Sequence, residues 1–255
     1  MVRWSAIHFA CARSAQQKKK ALVLDYAGGN RVLDALTDAE RGALLRDSKT
    51  VRMERRDPEP VPGSGLSHVD FPIGALMSVV AVFENGDTNE VGVVGRDGFV
   101  PIEPVIQEPK WRRTVFCQVA GDVVRVPIVD FQREMATKGR LSQLAQRSIG
   151  ARLFCAEQLV SCNLSHSVKQ RCARWLLMTQ DRVGADEFPL THEFLSIMLG
   201  VRRAGVSEAA GALQKDGAIR YHRGRVTIVD KPSLVKASCE CYAVTLDAFE
   251  RALTL

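Results

Sequence analysis

No run in this 255-residue sequence approaches the ~18 consecutive apolar residues of a membrane-spanning helix, so none is expected and no membrane partner is assigned. The seven cysteines, Cys11, Cys117, Cys155, Cys162, Cys172, Cys239 and Cys241, are odd in number and form no evenly spaced framework. That excludes a secreted disulfide scaffold and points to a reducing cytoplasm. The five histidines, His8, His68, His166, His192 and His222, form no nucleophile–base pattern with the serines or cysteines, so no catalytic residue is assigned and no enzyme is expected. His166 and His192 read as structural or capping residues. Cys239-Glu240-Cys241 lacks the two-residue gap typical of zinc or redox pairs, and no second Cys/His pair is expected near it, so no metal site is assigned. Gly95-Arg96-Asp97-Gly98 lacks the third glycine and the following helix of a dinucleotide fingerprint and reads as a turn. The stretch MVRWSAIHFACARSA superficially resembles a signal peptide, but its apolar run is short, is interrupted by His8 and Arg13, and precedes Lys18, Lys19 and Lys20. Export is not expected.

What is present is ordinary globular composition, 46% hydrophobic and 25% charged, in a length suited to two modest domains. Charge is unevenly spread: residues 57–130 are acidic, whereas 1–56 and 165–231 are basic. Such asymmetry suits a nucleic-acid reader at the C-terminal end joined to a domain with another task.

The middle of the chain reads as antiparallel β. Leu76 to Phe83 is a β-rich run, Glu84-Asn85-Gly86-Asp87 is a strong hairpin signal, and Thr88 to Val94 is the returning strand. Val115 to Val119 turns at Gly121-Asp122 into Val123 to Pro127, a second pair that completes a roll. Ahead of it, Thr37 and Glu40 have capping-box spacing for a helix to about Ser48. Residues 131–163 read as one long helix. Leu141, Leu144, Ser148, Ala151, Cys155, Leu159 and Cys162 recur at three and four residues, and Ile149, Leu153, Ala156 and Val160 form a second stripe. Two apolar stripes need two partners, one the chain's own roll and the other the same helix of a second copy, with the first stripe assigned to the dimer. A single long core helix is the alternative.

Residues 190–228, LTHEFLSIMLGVRRAGVSEAAGALQKDGAIRYHRGRVTI, read as two short helices, a tight turn and a basic β-hairpin, which is a winged helix-turn-helix. Thr191 caps the first helix, whose apolar side is Phe194, Leu195, Met198 and Leu199, and Gly200 ends it. The second helix restarts near Arg202 with Val206, Ala209, Ala210 and Leu213 on one side and Arg203, Ser207, Gly211 and Gln214 on the other. Gly217 stops it, and Arg220, Arg223 and Arg225 then surround a turn at Gly224. Across residues 202–231 seven Lys/Arg face three Asp/Glu, a positive footprint for double-stranded DNA. A helix fits the major groove, where an arginine near its N-terminus can grip guanine O6 and N7, and Arg203 is placed for this. Ser207 and Gln214 lie on the same reading face. Thr191, Arg202, Arg220, His222, Arg223 and Arg225 are assigned to phosphates. Two other readings stay open: a solvated helix pair in an all-α core, and a ligand-sensing module whose winged domain docks a protein partner.

The segment from HSVKQRCARWLLMTQDRVG through LTHEFLSIMLGVRRAGVSEAAGALQKDGAIRYHRGRVTIVD to CECY, residues 166–242, resembles the C-terminal half of bacterial Crp/Fnr-type transcription regulators, more weakly back to about Asn30. That resemblance implies an α+β fold: an N-terminal antiparallel β-roll of the cyclic-nucleotide-binding type (30–130), a dimerisation helix (131–164), a winged helix-turn-helix (165–242) and a C-terminal helix or tail (243–255). It also implies a cytoplasmic homodimer, with RNA polymerase as a further partner. Residues 1–29 match nothing in the family and are either a flexible basic arm or an upstream mis-assigned start. The family's iron–sulfur branch carries an N-terminal cysteine cluster, whereas only Cys11 lies in the first hundred residues, so no cluster is expected. In cyclic-nucleotide-binding relatives a Gly-Glu pair holds the ribose hydroxyl, and an arginine followed by a small residue holds the phosphate. Here Gly98 and Phe99 stand at the first pair and Arg112, Arg113 and Thr114 at the second. Without the carboxylate, cyclic AMP is not the expected effector. Another anionic effector remains open, as does a pocket that is empty or repurposed, and no cofactor is assigned.

Overall fold

The computed structural model describes residues 28–57 and 62–254. Apart from Gly28 and Gly29, the arm expected over residues 1–29 lies outside them. The fold is α+β, as expected, and begins with two short helices, α1 (Arg31–Asp34) and α2 (Asp38–Leu44). Thr37 and Glu40 form the capping box that their spacing predicts, each side chain meeting the other's backbone N–H.

Six strands build the roll as two three-stranded antiparallel sheets. One has the order β1 (Lys49–Met53), β6 (Gly121–Pro127), β2 (His68–Pro72), and the other β4 (Thr88–Val94), β3 (Leu76–Val82), β5 (Thr114–Val119). The β3–β4 hairpin forms where the Asn-Gly signal lies. The second expected hairpin does not. β5 pairs with β3 and β6 with β1 and β2, so the chain changes sheets at Ala120-Gly121 instead of folding back. Packing gives the reason: a Cβ on Gly121 would lie 2.2 Å from the backbone of Gly74 and Ala75, an approach that only glycine permits. Phe71, Phe99, Phe131, Val69, Val124 and Val126 fill the interior beside α1 and α2.

The long helix expected over 131–163 is two helices, α3 (Ile128–Ala136) and α4 (Arg140–Ser165). The break comes at Lys138, in the left-handed region, and at Gly139. Glu40 secures it, since one carboxylate oxygen serves the Thr37 capping box while the other accepts the Arg140 N–H at 2.7 Å. The assignment of the first stripe of α4 to the dimer also needs correction. Leu141 and Leu144 are buried in the roll's core, Ser148 is buried, and Ala151 and Cys155 pack under Phe249 and Ala252 of the last helix, α9 (Cys241–Leu253). Cys162 is buried against Cys239 and Cys241, and Leu159 is half-buried. Periodicity within α4 carries no information about α9, which is why the stripes alone do not reveal this cover. The second stripe is the open one: its Leu153 and Val160 are 61% and 65% exposed, and Leu164, one turn beyond it, is 84% exposed.

Beyond α4 come α5 (Val168–Val183), β7 (Glu187–Pro189), α6 (His192–Leu199), α7 (Arg203–Lys215), β8 (Ile219–His222), β9 (Arg225–Ile228), α8 (Lys231–Ala237) and α9. The three strands form one antiparallel sheet in the order β7-β9-β8. This unit is docked on the roll. Leu76 and Val119 share a core with Trp175 and Leu176, and Phe116 meets Phe194 edge-on at 6.1 Å.

Candidate nucleic-acid interface

The helix pair is built from its capping residues. Thr191 Oγ1 accepts the Phe194 N–H at 3.1 Å and starts α6. Gly200, at φ +63°, ends it in the left-handed conformation that glycine adopts without strain. Arg171 of α5 holds this corner from behind by donating to the Leu199 carbonyl. α7 follows after Arg202. Val206, Ala209, Ala210 and Leu213 are buried as their spacing predicts, which leaves Arg203, Ser207, Gly211 and Gln214 exposed.

Two of the residues assigned to the reading face also have internal tasks. Ser207 Oγ lies 3.0 Å from His192 Nδ1, and the His192 ring stacks on Tyr221 with centroids 4.4 Å apart. Burial, and then the positive charge of Arg203, lower the imidazole's pKa below its ordinary value, which favours the neutral ring. Gln214 Oε1 accepts the Tyr221 N–H at 2.7 Å, and the Tyr221 hydroxyl donates to the Leu190 carbonyl at 2.6 Å. α6, α7 and the wing are thus tied through His192 and Tyr221, a connection that spacing alone does not reveal.

The wing is a two-residue turn in which Arg223 and Gly224 both have positive φ, the conformation of a type I′ hairpin. Arg225, expected among the phosphate-contacting residues, instead reaches across to β7, where Nε donates to Glu187 Oε1 at 2.6 Å. Much of its charge is therefore met within the sheet. Among the described residues Arg202, Arg203, Arg220 and Arg223 make no ion pair, and with His222 they are exposed. They form a basic edge running from the start of α7 to the wing tip.

The expected effector cassette is not assembled as one site. The Phe99 ring is 1% exposed and lies between Phe71 and Phe131, at 5.6 and 5.7 Å, and the Gly98 carbonyl accepts from the Asn30 side chain, so neither presents a side chain to a cavity. Arg112 is exposed and pairs with Glu108, while Thr114 starts β5. Arg112 and Arg113 do line a cavity of about 160 Å³, together with Glu103, Trp111 and Arg152, three residues that no sequence motif singles out. Trp111 is buried in the cavity wall. Burial depresses the Arg152 guanidinium to about 10, despite the charges of Asp97 and Glu103, and its Nη1 donates to the Phe99 carbonyl at 3.0 Å.

The expectation that no Cys/His pair lies near Cys239-Glu240-Cys241 is also overturned. Cys162 and His166, one turn apart at the end of α4, come up against it, and the four donor atoms lie within 4.8 Å of one another. The separation in sequence is over seventy residues, so only the fold brings them together.

Residues 170–237 match the Crp-like helix-turn-helix domain. No curated protein matches the sequence. Similar solved structures include a Crp/Fnr-family transcriptional regulator from Eubacterium rectale, at 15% identity and a TM-score of 0.60 over 81% of this chain and 96% of that one. A CRP-family regulator from Thermus thermophilus is 18% identical, with a TM-score of 0.60 over 74% and 96%. The c-di-GMP-responsive global regulator CLP of Xanthomonas campestris is 18% identical, with a TM-score of 0.56 over 75% and 99%. Residues 170–237 thus form a Crp-like helix-turn-helix domain, and the chain shares its fold with solved regulators of the Crp/Fnr family.

Proposed function

We propose that the protein is a sequence-specific DNA-binding transcription regulator that acts as a homodimer, with a degenerate effector domain. The carrying observation is the exposed basic edge formed by Arg202, Arg203, Arg220, His222 and Arg223 on a Crp-like helix-turn-helix, without an ion-pair partner among the described residues. The exposed apolar stripe of α4 supplies a two-fold contact to a second copy, which sets two α7 helices about one helical turn of DNA apart, ~10–10.5 bp. Titration of labelled upstream fragments at rising salt tests this. Neutralising roughly six to ten phosphates per dimer predicts a fall of about 10³- to 10⁵-fold in affinity between 50 and 200 mM salt. Salt-insensitive binding, or none, overturns the reading and favours a protein-docking role for the winged domain.

The roll is read as degenerate because its Arg-lined cavity, about 160 Å³, is smaller than the ~300 Å³ at which small-molecule sites begin. Responsiveness to c-di-GMP is a property of the Xanthomonas regulator and is not carried over. Isothermal titration with cyclic AMP, cyclic GMP and cyclic di-GMP is expected to show no binding. Micromolar cyclic AMP binding that tightens DNA binding contradicts this.

A further inference from the structure

Cys162 Sγ and Cys239 Sγ are 3.6 Å apart, and Cys241 Sγ lies 3.6 Å from His166 Nδ1. Zinc bonds of about 2.3 Å to sulfur and 2.0–2.1 Å to nitrogen, arranged tetrahedrally, set S···S edges near 3.8 Å and S···N edges near 3.5 Å. These two edges are of that size, and the remaining ones lie within 4.8 Å. Buried cysteines often pack as small apolar groups, but packing alone does not require four donor atoms from two distant segments to converge within 4.8 Å. We propose that Cys162, Cys239, Cys241 and His166 bind a structural zinc ion, with three thiolates and His166 Nδ1 as a closed tetrahedral set.

The surroundings fit that charge and geometry. His166 Nε2 faces Glu240 Oε1 at 3.3 Å, so the ring can donate its remaining N–H to a carboxylate while Nδ1 points at the sulfurs. That arrangement orients zinc-ligating histidines and fixes their tautomer. Gln158 Nε2 donates to Cys241 Sγ at 3.1 Å, a bond that strengthens when the sulfur carries charge. Zinc with three thiolates and a neutral imidazole has a net charge of −1 by the ligand charges. Arg174 of α5 is buried, acts electrostatically on Cys162, and has no carboxylate in ion-pair range among the described residues; Nη1 rests on Met178 Sδ instead. Arg174 already acts on the Glu90 carboxylate, and an anionic metal centre beside Cys162 gives this buried guanidinium a second favourable partner. Thiolate-rich sets select zinc over the harder Mg²⁺ or Ca²⁺. With all four positions taken by protein, the ion has no open site for catalysis. Its effect is to pin the end of α4 to the α8–α9 junction, so that the winged domain leaves the long helix at a fixed angle.

The full chain, purified under reducing conditions and dialysed against zinc-free buffer, is expected to retain about one zinc per chain by elemental mass spectrometry. Co²⁺ exchanged into it should show intense tetrahedral d–d bands and a thiolate-to-cobalt charge-transfer band. Cys162→Ser and Cys239→Ser should lose the metal, whereas Cys155→Ser, on the same helix but outside the cluster, should keep it. Glu240→Gln should weaken binding about 10-fold through its effect on His166. If the serine variants do not fold, the cobalt spectrum of the unaltered chain decides. A folded chain without zinc, a cobalt spectrum without the thiolate band, or a Cys162–Cys239 disulfide in the reduced preparation overturns the proposal.

Discussion

Arg203 and Arg223 are both exposed cations of the winged segment, yet their positions fit them for different work. Arg203 opens α7, where a side chain can enter the major groove, and Arg223 sits at the tip of a turn that can reach only backbone. Arg203→Ala is therefore expected to relax preference at one guanine per half-site by about 1–3 kcal/mol, and Arg223→Ala to weaken binding to all sequences alike. Anisotropy on a panel of single-base operator variants separates them, and an identical uniform loss from both contradicts the assignment. The same local view shows where residue types mislead. By the family resemblance a ligand-binding carboxylate is expected at position 99, but the phenylalanine there packs into the core against Phe71 and Phe131. Gly121 is read from sequence as a turn residue, whereas its role is to let two backbones touch. Gly121→Ala should cost about 3 kcal/mol or more by overpacking, read as a lowered urea midpoint.

Among the elements, those with strong local signals are legible in the sequence: the Asn-Gly hairpin, the Thr37 capping box, and the burial pattern of α6 and α7. Their causes lie within a few residues of chain. β1 and β2 escape such a reading because each is a five-residue run that pairs with the distant β6 and not with a neighbour, and β5–β6 misleads it because the partner of each strand lies elsewhere in the chain. α4 shows the general difficulty. Periodicity finds two apolar stripes but cannot tell which one α9 will cover. Since Leu153, Val160 and Leu164 remain open, Leu153→Glu combined with Val160→Glu should convert a dimer to a folded monomer, seen by light scattering with an unchanged circular dichroism spectrum. Cys155→Glu places its charge on the covered stripe and should unfold the chain instead.

For the whole molecule, the junction between roll and winged domain has a titrating group at its centre. Burial raises the Glu90 carboxyl from 4.5 to about 7, although Ser78 Oγ at 2.7 Å and Trp175 Nε1 at 3.1 Å both donate to it. Its folded-state pKa is above the unfolded value, so its stabilising contribution is fully present below about pH 4.5 and is lost as pH rises through about 7. Relative to Glu90→Gln, the unaltered chain should lose on the order of 1 kcal/mol between pH 5 and 8 in urea titrations. A pH-independent difference between the two removes Glu90 from that role. The last helix also has consequences for how the molecule is made. Arg31 of α1 forms paired bonds to Glu250 of α9, at 2.8 and 2.6 Å across 219 positions, and Arg147 of α4 donates to the Arg251 carbonyl at 2.6 Å. Contacts so distant in sequence form late, because loop closure must precede them. During synthesis the roll can gather its strands as they emerge, but α4 stays half-uncovered until α9 has been made. The roll and its long helix are completed by a helix whose Glu250 lies 219 positions beyond its partner Arg31.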